Sequence, residues 1–326
     1  MLPTAAGKNV PDYAPGGVLI QTASPTHPVD GVLLLDKPVG ITSNAAIQRV
    51  KRLLCAAKAG HVGTLDPLAS GLLPVCLGEA TKFSTGTFGA DKSYDADILL
   101  GVTTTTGDTE GEVTSRLTVA VTREQVEDVL RQFTGAITQT PPMYSALKRD
   151  GKPLYAYARA GQTVPREPRS ITIHGIVAHG FDSDRLQIGV RCSKGTYVRV
   201  LAEDIGRALG CGATLAGLRR TTVGAFDLAR AITLARLEGL SEGGRLECVL
   251  PIDTLVLNLP RMLLDTEPAR RLQMGQASQL GGVEMSGLVR LYDLNQRFLG
   301  LGEVQQGGRL VAKRLLAISA AGTAEA

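Results

Sequence analysis

A short stretch near the start of the chain combines small residues with a single carboxylate. It reads GHVGTLDPLASG, from Gly60 to Gly71, and Asp66 is its one acidic residue. The glycines leave open backbone that a ligand could approach, and an ionised Asp, with an ordinary pKa of about 3.9, could act as a base or a nucleophile. Asp before Pro also commonly shapes a turn. Asp66 is therefore either a turn residue or the acid of an active site, and no second carboxylate lies nearby in sequence to complete a glycosidase pair.

A second possible nucleophile lies in Ser145-Ala146-Leu147-Lys148. This spacing fits an SxxK pair, in which a lysine one helical turn away activates a serine. The companion motifs SDN and KTG are missing from the sequence. A serine acyl-transfer enzyme is therefore a distant alternative.

Cofactor motifs are missing as well. The sequence contains no GxxxxGK[ST] and no GxGxxG, so neither ATP nor a dinucleotide is expected. The five cysteines and four histidines form no CxxC and no HExxH, which makes a metal site unexpected. We interpret the cysteines as reduced core residues and expect no cofactor.

The segment from Thr138 to Ser170 is rich in basic and tyrosine side chains. Its charge of +4 equals the net charge of the whole chain, and it holds three of the seven tyrosines. Basic groups neutralise phosphates and tyrosine rings stack on bases, each stack contributing roughly 1 to 3 kcal/mol. A solvated insertion could have the same composition. The segment is thus a candidate RNA-binding insertion, with Lys148, Arg149 and Lys152 among its cations.

Periodicity predicts the elements that must position these groups. Strands are expected at Val32–Leu35, Asp95–Gly101, Ile171–Val177 and Leu186–Cys192. Helices are expected after Thr42-Ser43, after the capping box of Thr122 and Gln125 with Gly135 closing the helix, and from Val200 to Gly210. Strands and helices without a regular repeat favour an α+β fold with a mixed, largely antiparallel sheet.

Composition divides the 326-residue chain further. Residues 1–28 hold five of the 16 prolines and are predicted to be a flexible extension. Residues 29–250 form the main domain, and 251–318 predict a small β-rich domain from short strand patterns at 287–292, 298–304 and 309–314. Residues 319–326 are expected to be a tail. No apolar run is long enough for a membrane span and no signal peptide is visible, so a cytoplasmic protein is expected.

Several longer stretches resemble one known family. GHVGTLDPLASGLLPVCLGEATKF (60–83) resembles the catalytic loop of bacterial tRNA pseudouridine-55 synthases, the TruB family. Supporting stretches follow in the family's order and spacing: LLLDKPVGITSN (33–44), KSYDADILLGVTTTTGDTEG (92–111), PPMYSALKRDGKPLYAYAR (141–159), RCSKGTYVRVLAEDIG (191–206) and LRRTTVGAF (218–226). The C-terminal part looks like the family's RNA-binding PUA-type domain. The resemblance implies conversion of uridine-55 in the T-loop of tRNA to pseudouridine, by base flipping and without cofactor, metal or nucleotide.

The resemblance also implies roles for individual residues. Asp66 matches the catalytic aspartate, which attacks the ribose or the base or removes the C2′ proton. Arg199 matches its partner; as an isolated residue it would be a surface cation at the start of a helix. Tyr94 matches the tyrosine that stacks on the target base, and Tyr197 a tyrosine near the base edge that could take part in proton transfer from C5. As isolated residues, both would be strand tyrosines with buried rings.

RNA contacts are implied for three further residues. His61 matches the histidine that inserts where the base has left, and Leu218 an apolar contact that closes the pocket. Lys37 matches a lysine near the active-site loops, for which a structural and an RNA-contact role are equally open. Nothing in the sequence requires a dimer, so a monomer is expected. A non-catalytic RNA-binding or tRNA-folding protein would share every binding feature, but it has no need of an acid in a groove that receives phosphates.

Overall fold

The computed structural model of the chain describes residues 29–84, 90–282 and 284–317. The predicted extension 1–28 and tail 319–326 lie outside these residues. No helix within the described ranges is long and apolar enough to cross a membrane.

The strands, numbered in chain order, form one large and several small sheets. They are β1 Gly31–Lys37, β2 Ala59–His61, β3 Ala69–Leu77, β4 Lys92–Leu100, β5 Val102–Thr104, β6 Val113–Arg116, β7 Gly135–Gln139, β8 Lys148–Arg149, β9 Lys152–Pro153, β10 Arg169–Asp182, β11 Arg185–Cys192, β12 Ala213–Val223, β13 Phe226–Asp227, β14 Ile232–Thr233, β15 Val249–Leu250, β16 Arg261–Leu263, β17 Ser278–Gln279, β18 Gly287–Tyr292, β19 Phe298–Val304 and β20 Arg309–Leu315.

The α-helices lie between these strands. They are α1 Ser43–Leu53, α2 Arg123–Gln132, α3 Leu154–Arg159, α4 Val198–Ala208, α5 Leu234–Gly239, α6 Glu242–Glu247 and α7 Thr266–Gln273. Thr42 caps α1 and accepts a hydrogen bond from the Ala45 amide, and both bonds of the capping box predicted for α2 are present.

The large sheet has the strand order β14-β1-β3-β12-β4-β11-β10-β7. Most neighbours are antiparallel, but β12 runs parallel to β3 and β14 parallel to β1. Along β4, Tyr94, Ala96, Ile98 and Leu100 are buried while Asp95 and Asp97 are exposed, as a sheet with one covered face requires. The predicted α+β fold with a mixed, largely antiparallel sheet is confirmed.

Helices α1, α2, α4 and α5 cover one face of this sheet. Their apolar residues join the inward residues of the central strands in the main core, which includes Val50, Val126, Leu201, Ile98 and Ile188. A smaller cluster on β1 and β3 forms around Val32, Leu34 and Leu72. The continuous apolar run of β1 is explained by burial on both faces.

Two local expectations were wrong. Gly135 does not close α2: the helix ends at Gln132, and Gly135, with φ +103°, begins β7 opposite Ile173. The five cysteines form no disulfide, but Cys55 is exposed and not in the core, because the chain turns there with φ +48° just beyond α1.

The second sheet lies in the C-terminal part, with the order β16-β18-β19-β20-β17. It has its own core around Leu264, Leu272 and Leu291. The 3₁₀ turn Ile252–Val256, which precedes it, buries Val256 in the cluster of β1 and β3.

Candidate active site

The loop between β2 and β3 carries Asp66 and is held by the region around the start of α1. The Ser43 hydroxyl accepts a hydrogen bond from the Leu65 amide and donates one to the Leu65 carbonyl, both at 2.8 Å. The Gly40 amide donates to the Pro67 carbonyl at 2.8 Å. The residues on either side of Asp66 are therefore fixed to one end of a core helix.

Arg199 forms an ion pair with Asp66 from the other side. Its Nη2 lies 2.9 Å from Asp66 Oδ2, where the arginine side chain is 6% exposed and the aspartate side chain 44% exposed. Arg199 is the second residue of α4, and its guanidinium also donates to the carbonyls of Thr106 and Tyr144 at 3.1 and 2.7 Å. The carboxylate thus faces open space while its counter-charge is buried and fixed.

A second carboxylate shares the same arginine. Asp108 Oδ2 lies 3.6 Å from Arg199 Nε, and its side chain is almost fully buried. Asp108 Oδ1 accepts hydrogen bonds from the Thr106 hydroxyl at 2.6 Å and from the Glu110 amide at 3.2 Å. Asp108 was not singled out from the sequence, because its distance of 42 positions from Asp66 carries no local signal.

Lys37 is buried near the Asp66 carboxylate. Its ammonium donates to the carbonyls of Pro38 and Ile41 at 2.8 and 2.7 Å. Burial lowers the pKa of Lys37 to about 8, and the negative charge of Asp66 opposes that shift. Lys37 therefore holds the turn between β1 and α1, whose Gly40 contacts Pro67 of the Asp66 loop.

Tyr94 faces the site from β4 and pairs with Arg220 directly across on β12. Arg220 is 1% exposed, and it donates to the Leu72 carbonyl through Nε at 2.8 Å and to the Gly63 carbonyl through Nη2 at 2.9 Å. Burial raises the pKa of the Tyr94 phenol, and the adjacent guanidinium partly offsets this. Arg220 was not singled out from the sequence, although Arg219-Arg220 within a strand must place one arginine on each face.

Tyr197 lies immediately before α4. Its amide donates to Gln139 Oε1 at 3.0 Å and its carbonyl accepts from Gln139 Nε2 at 3.3 Å, which fixes it to the end of β7. Burial raises the pKa of its phenol, the nearby Ser145 side chain lowers it, and Asp66 adds a small increase. The pair Ser145 and Lys148 lies on no helix, and Lys148 is exposed in β8, so the SxxK geometry is not formed.

His61 and Leu218 border the same region. His61 ends β2 half-buried, and burial together with the positive charge of Arg220 lowers its pKa. Its buried Nδ1 has no hydrogen-bond partner within the described residues. Leu218 pairs with Ala96 on β4 and with Ala69 on β3, so its side chain shares the face of Tyr94 and Arg220.

The basic residues of the insertion lie apart from this cluster. Lys148 and Arg149 form β8 and Lys152 begins β9, and all three are exposed. Arg149 donates to the Pro165 carbonyl at 2.6 Å, and the Lys152 ammonium lies 4.7 Å from the centre of the Tyr157 ring. The insertion nevertheless contacts the site through Tyr144, whose carbonyl accepts a hydrogen bond from Arg199.

Metal-ligating groups are not clustered at this site. Across 29–84, 90–282 and 284–317, no group of three or more His, Cys, Asp or Glu side chains could hold a metal ion.

Three family models match consecutive parts of the chain. The TruB family pseudouridylate synthase (N terminal domain) matches residues 51–198, and the tRNA pseudouridylate synthase B C-terminal domain matches 199–257. The model described as pseudouridine synthase II TruB, C-terminal, matches 260–316.

Curated relatives are similar over almost their whole length. The tRNA pseudouridine synthase B of Methylobacillus flagellatus is 54% identical over 288 residues, which cover 88% of this chain and 95% of that protein. The tRNA pseudouridine synthase B of Dechloromonas aromatica is 54% identical over 291 residues, covering 89% and 97%.

Two solved structures extend the likeness to the fold. An archaeal box H/ACA sRNP Nop10-Cbf5 complex aligns with a TM-score of 0.64 at 25% identity, covering 87% of this chain and 85% of that one. An H/ACA RNP bound to a substrate RNA containing 2′-deoxyuridine aligns with a TM-score of 0.65 at 25% identity, covering 88% and 85%.

Proposed function

The chain belongs to the TruB family of pseudouridylate synthases and is an enzyme that isomerises uridine to pseudouridine in tRNA; we propose that its target is uridine-55 of the T-loop and that Asp66 carries the chemistry. The observation that supports this most is the ion pair of Asp66 with Arg199, in which the carboxylate is open and the cation buried. A fixed adjacent cation holds a carboxylate in one orientation while its free oxygen faces the nucleotide.

The reaction breaks the bond from N1 of the base to C1′ and joins C5 to C1′. The base turns in between, C5 loses its proton, and N1 gains one. Asp66 either attacks the ribose or the base as a nucleophile or removes the proton from C2′. Both roles need a carboxylate oxygen that is free to approach the nucleotide, and the Asp66 side chain is 44% exposed.

Tyr94 and Leu218 would hold the flipped base. A base that leaves its stack costs a few kcal/mol and needs a new apolar or aromatic face. Tyr94 and Leu218 share one face of the sheet beside the Asp66 loop. His61 would occupy the gap in the RNA, and the lowered pKa of its imidazole favours the neutral ring that stacks on bases. Tyr197, between Asp66 and the insertion, would lie at the base edge and could take part in the transfer of the C5 proton.

The insertion would contact the T-arm. Lys148, Arg149 and Lys152 are exposed on a short hairpin whose base is bonded to Arg199 through Tyr144. Exposed cations neutralise phosphates without reading sequence. The C-terminal domain would add a second RNA contact, and the enzyme would act as a monomer in the cytoplasm. For Lys37, whose ammonium is buried against two carbonyls, we propose the structural role.

Site mapping tests this proposal. The purified protein is incubated without metal or nucleotide with an unmodified tRNA transcript, with the same transcript carrying cytidine at position 55, and with an isolated T-arm hairpin. Nuclease digestion and mass spectrometry then locate pseudouridine after base-specific labelling. We expect modification at position 55 of the transcript and the hairpin, and none in the cytidine variant. Modification elsewhere would refute the target, and tight binding without any product would favour an RNA-folding protein.

A further inference from the structure

Arg220 is a buried cation that the proposed chemistry does not use. It is 1% exposed, and in the described part of the chain no carboxylate pairs with it. Burying a charge without an opposite charge is costly, and such groups persist where they are hydrogen-bonded and serve a function. The preceding residue, Arg219, does have a carboxylate partner. It donates a hydrogen bond to Asp36 Oδ2 at 2.8 Å on the opposite face of the sheet.

The guanidinium of Arg220 connects both ends of the catalytic loop. Nη2 donates to the Gly63 carbonyl, three residues before Asp66, and Nε donates to the Leu72 carbonyl, six residues after it. A planar guanidinium has several donors in fixed directions, which lysine lacks. Arg220 therefore sets the separation of the two chain segments that enclose Asp66.

Two glycines permit this close approach. A Cβ on Gly71, which has φ +98°, would lie 2.4 Å from the Arg220 carbonyl oxygen. A Cβ on Gly63, which has φ +75°, would lie 3.2 Å from Arg220 Nη1. Any other residue at either position would be strained and would push against Arg220.

Tyr94 is the cross-strand neighbour of Arg220. The two residues are directly paired across β4 and β12, so their side chains leave the sheet on the same face. Burial raises the pKa of the Tyr94 phenol, and the positive charge of the nearby Arg220 guanidinium opposes that rise. One side chain thus bonds to both ends of the loop and leaves the sheet beside the tyrosine.

We propose that Arg220 is the positioning residue that fixes the Tyr94 ring relative to the Asp66 loop. It does not contact the substrate; it holds the surface that receives the flipped base at a set distance from the carboxylate. This inference rests on the proposed function of Asp66 and Tyr94. A displacement of about 1 Å between such groups costs on the order of 100-fold in rate.

The test compares Arg220→Met, Arg220→Lys and the matched control Arg219→Met, which changes the neighbouring arginine on the other face. For each protein we would measure the single-turnover rate of tritium release from tRNA labelled at uridine C5, and the Kd for tRNA. We expect Arg220→Met to lower the rate by about 100-fold with Kd within about threefold of wild type. Arg220→Lys should be about tenfold faster than Arg220→Met, and Arg219→Met should keep the wild-type rate.

A spectroscopic measurement separates positioning from a general loss of structure. Proteins labelled with 3-fluorotyrosine are titrated by ¹⁹F NMR, and the Tyr94 signal is identified from its loss in Tyr94→Phe. Removing the guanidinium should raise the midpoint of the Tyr94 signal in Arg220→Met, because the charge that opposes the rise is lost, and Arg219→Met should leave it unchanged.

Three results would overturn the proposal. These are a wild-type rate in folded Arg220→Met, an unchanged Tyr94 midpoint in that variant, and a failure of Arg220→Lys to exceed it in rate. If Arg220→Met does not fold, Arg220→Lys decides: a lower rate with a shifted midpoint supports the proposal, and wild-type values for both refute it. Wild-type protein that releases no tritium would refute the proposed function, whereas the midpoint of Tyr94 would still report on its contact with Arg220.

Discussion

The side chains of Asp66 and Arg199 form an ion pair but differ widely in exposure, because the carboxylate is open and the guanidinium is buried. Arg199 is fixed by two carbonyls and by Asp108, whereas Asp66 keeps one side open. A surface ion pair would let both partners move, and it contributes little to stability. Here the fixed Arg199 holds the open Asp66 carboxylate, so the pair is suited to orientation and not to stability.

Lys37 gives a prediction about pH. Its pKa in the folded protein is about 8, below the ordinary 10.5. Below pH 8 the lysine is protonated in both states, so the cost of burying the charge is fully present. Between pH 8 and about 10.5 the folded protein loses the proton while the unfolded chain keeps it, so stability rises with pH.

Urea denaturation at pH 7.5 and pH 9.5 checks this. Relative to Lys37→Met, the wild-type free energy of unfolding should increase by about 1 to 2 kcal/mol between the two pH values. Equal changes in the two proteins would show that the ammonium of Lys37 keeps an ordinary pKa.

At the scale of elements, the start of α1 links the core to the Asp66 loop. Ser43 and Thr42 are adjacent but make different hydrogen bonds. The Ser43 hydroxyl bonds to the amide and the carbonyl of Leu65, and the Thr42 side chain caps α1. A helix that is fixed by the core thereby fixes the loop. This arrangement explains how a glycine-containing loop can hold the Asp66 carboxylate in one place.

Replacing each residue by alanine separates these tasks. Ser43→Ala leaves a buried amide and carbonyl of Leu65 without that partner, so we expect a loss of about 2 kcal/mol and a single-turnover rate lowered at least about tenfold. The matched control Thr42→Ala should lose about 1 kcal/mol of stability and keep its rate. Similar rates in both variants would mean that Ser43 does not position Asp66.

Elements with a local signal were predictable from the sequence. The capping box of α2 and the alternation of β4 and β11 depend on neighbours within a few residues, and each forms where predicted. Asp108 and Arg220 were not found because their roles depend on strands and loops far away in the chain. The burial of Lys37 was hidden for the same reason: its two carbonyl partners become available only when β1 turns into α1.

At the scale of the whole molecule, the C-terminal domain contacts the 3₁₀ turn Gly78–Lys82, which follows β3, through an aromatic group. The Phe298 ring lies 5.4 Å from Phe83 and 5.5 Å from Tyr292, measured between ring centres. The Tyr292 hydroxyl donates to Asp253 at 2.7 Å, in the turn that precedes the second sheet. The Ala317 amide donates to Glu79 at 2.9 Å. Of these contacts, the ones that Phe298 makes with Phe83 and Ala317 makes with Glu79 join the C-terminal domain to the main domain.

Phe298→Ala should weaken this contact. Because the ring is only half-buried, we expect a loss of about 2 kcal/mol, below the range for a full core position, and faster proteolysis between residues 251 and 260. Leu288→Ala, an exposed position on the adjacent strand β18, is the control and should change neither. Unchanged proteolysis of Phe298→Ala would show that the aromatic group does not hold the domains together.

The basic insertion gives a prediction about salt. If Lys148 and Lys152 each contact a phosphate, then replacing both by Gln should reduce the slope of log Kd against log salt by about 1.4 to 1.8. Replacing two exposed arginines elsewhere, Arg131 and Arg185, should leave the slope unchanged. Equal slopes in the lysine variant and wild type would remove the insertion from the RNA interface.

Asp66 is proposed to carry out the isomerisation. The most direct measurement is tritium release from a tRNA transcript labelled at uridine C5, for wild type, Asp66→Asn and the matched Asp97→Asn, whose carboxylate lies on the opposite face of the sheet. We predict release by wild type and Asp97→Asn, and none by Asp66→Asn despite tRNA binding within about threefold of wild type. Release by Asp66→Asn at a rate near that of wild type would contradict the account.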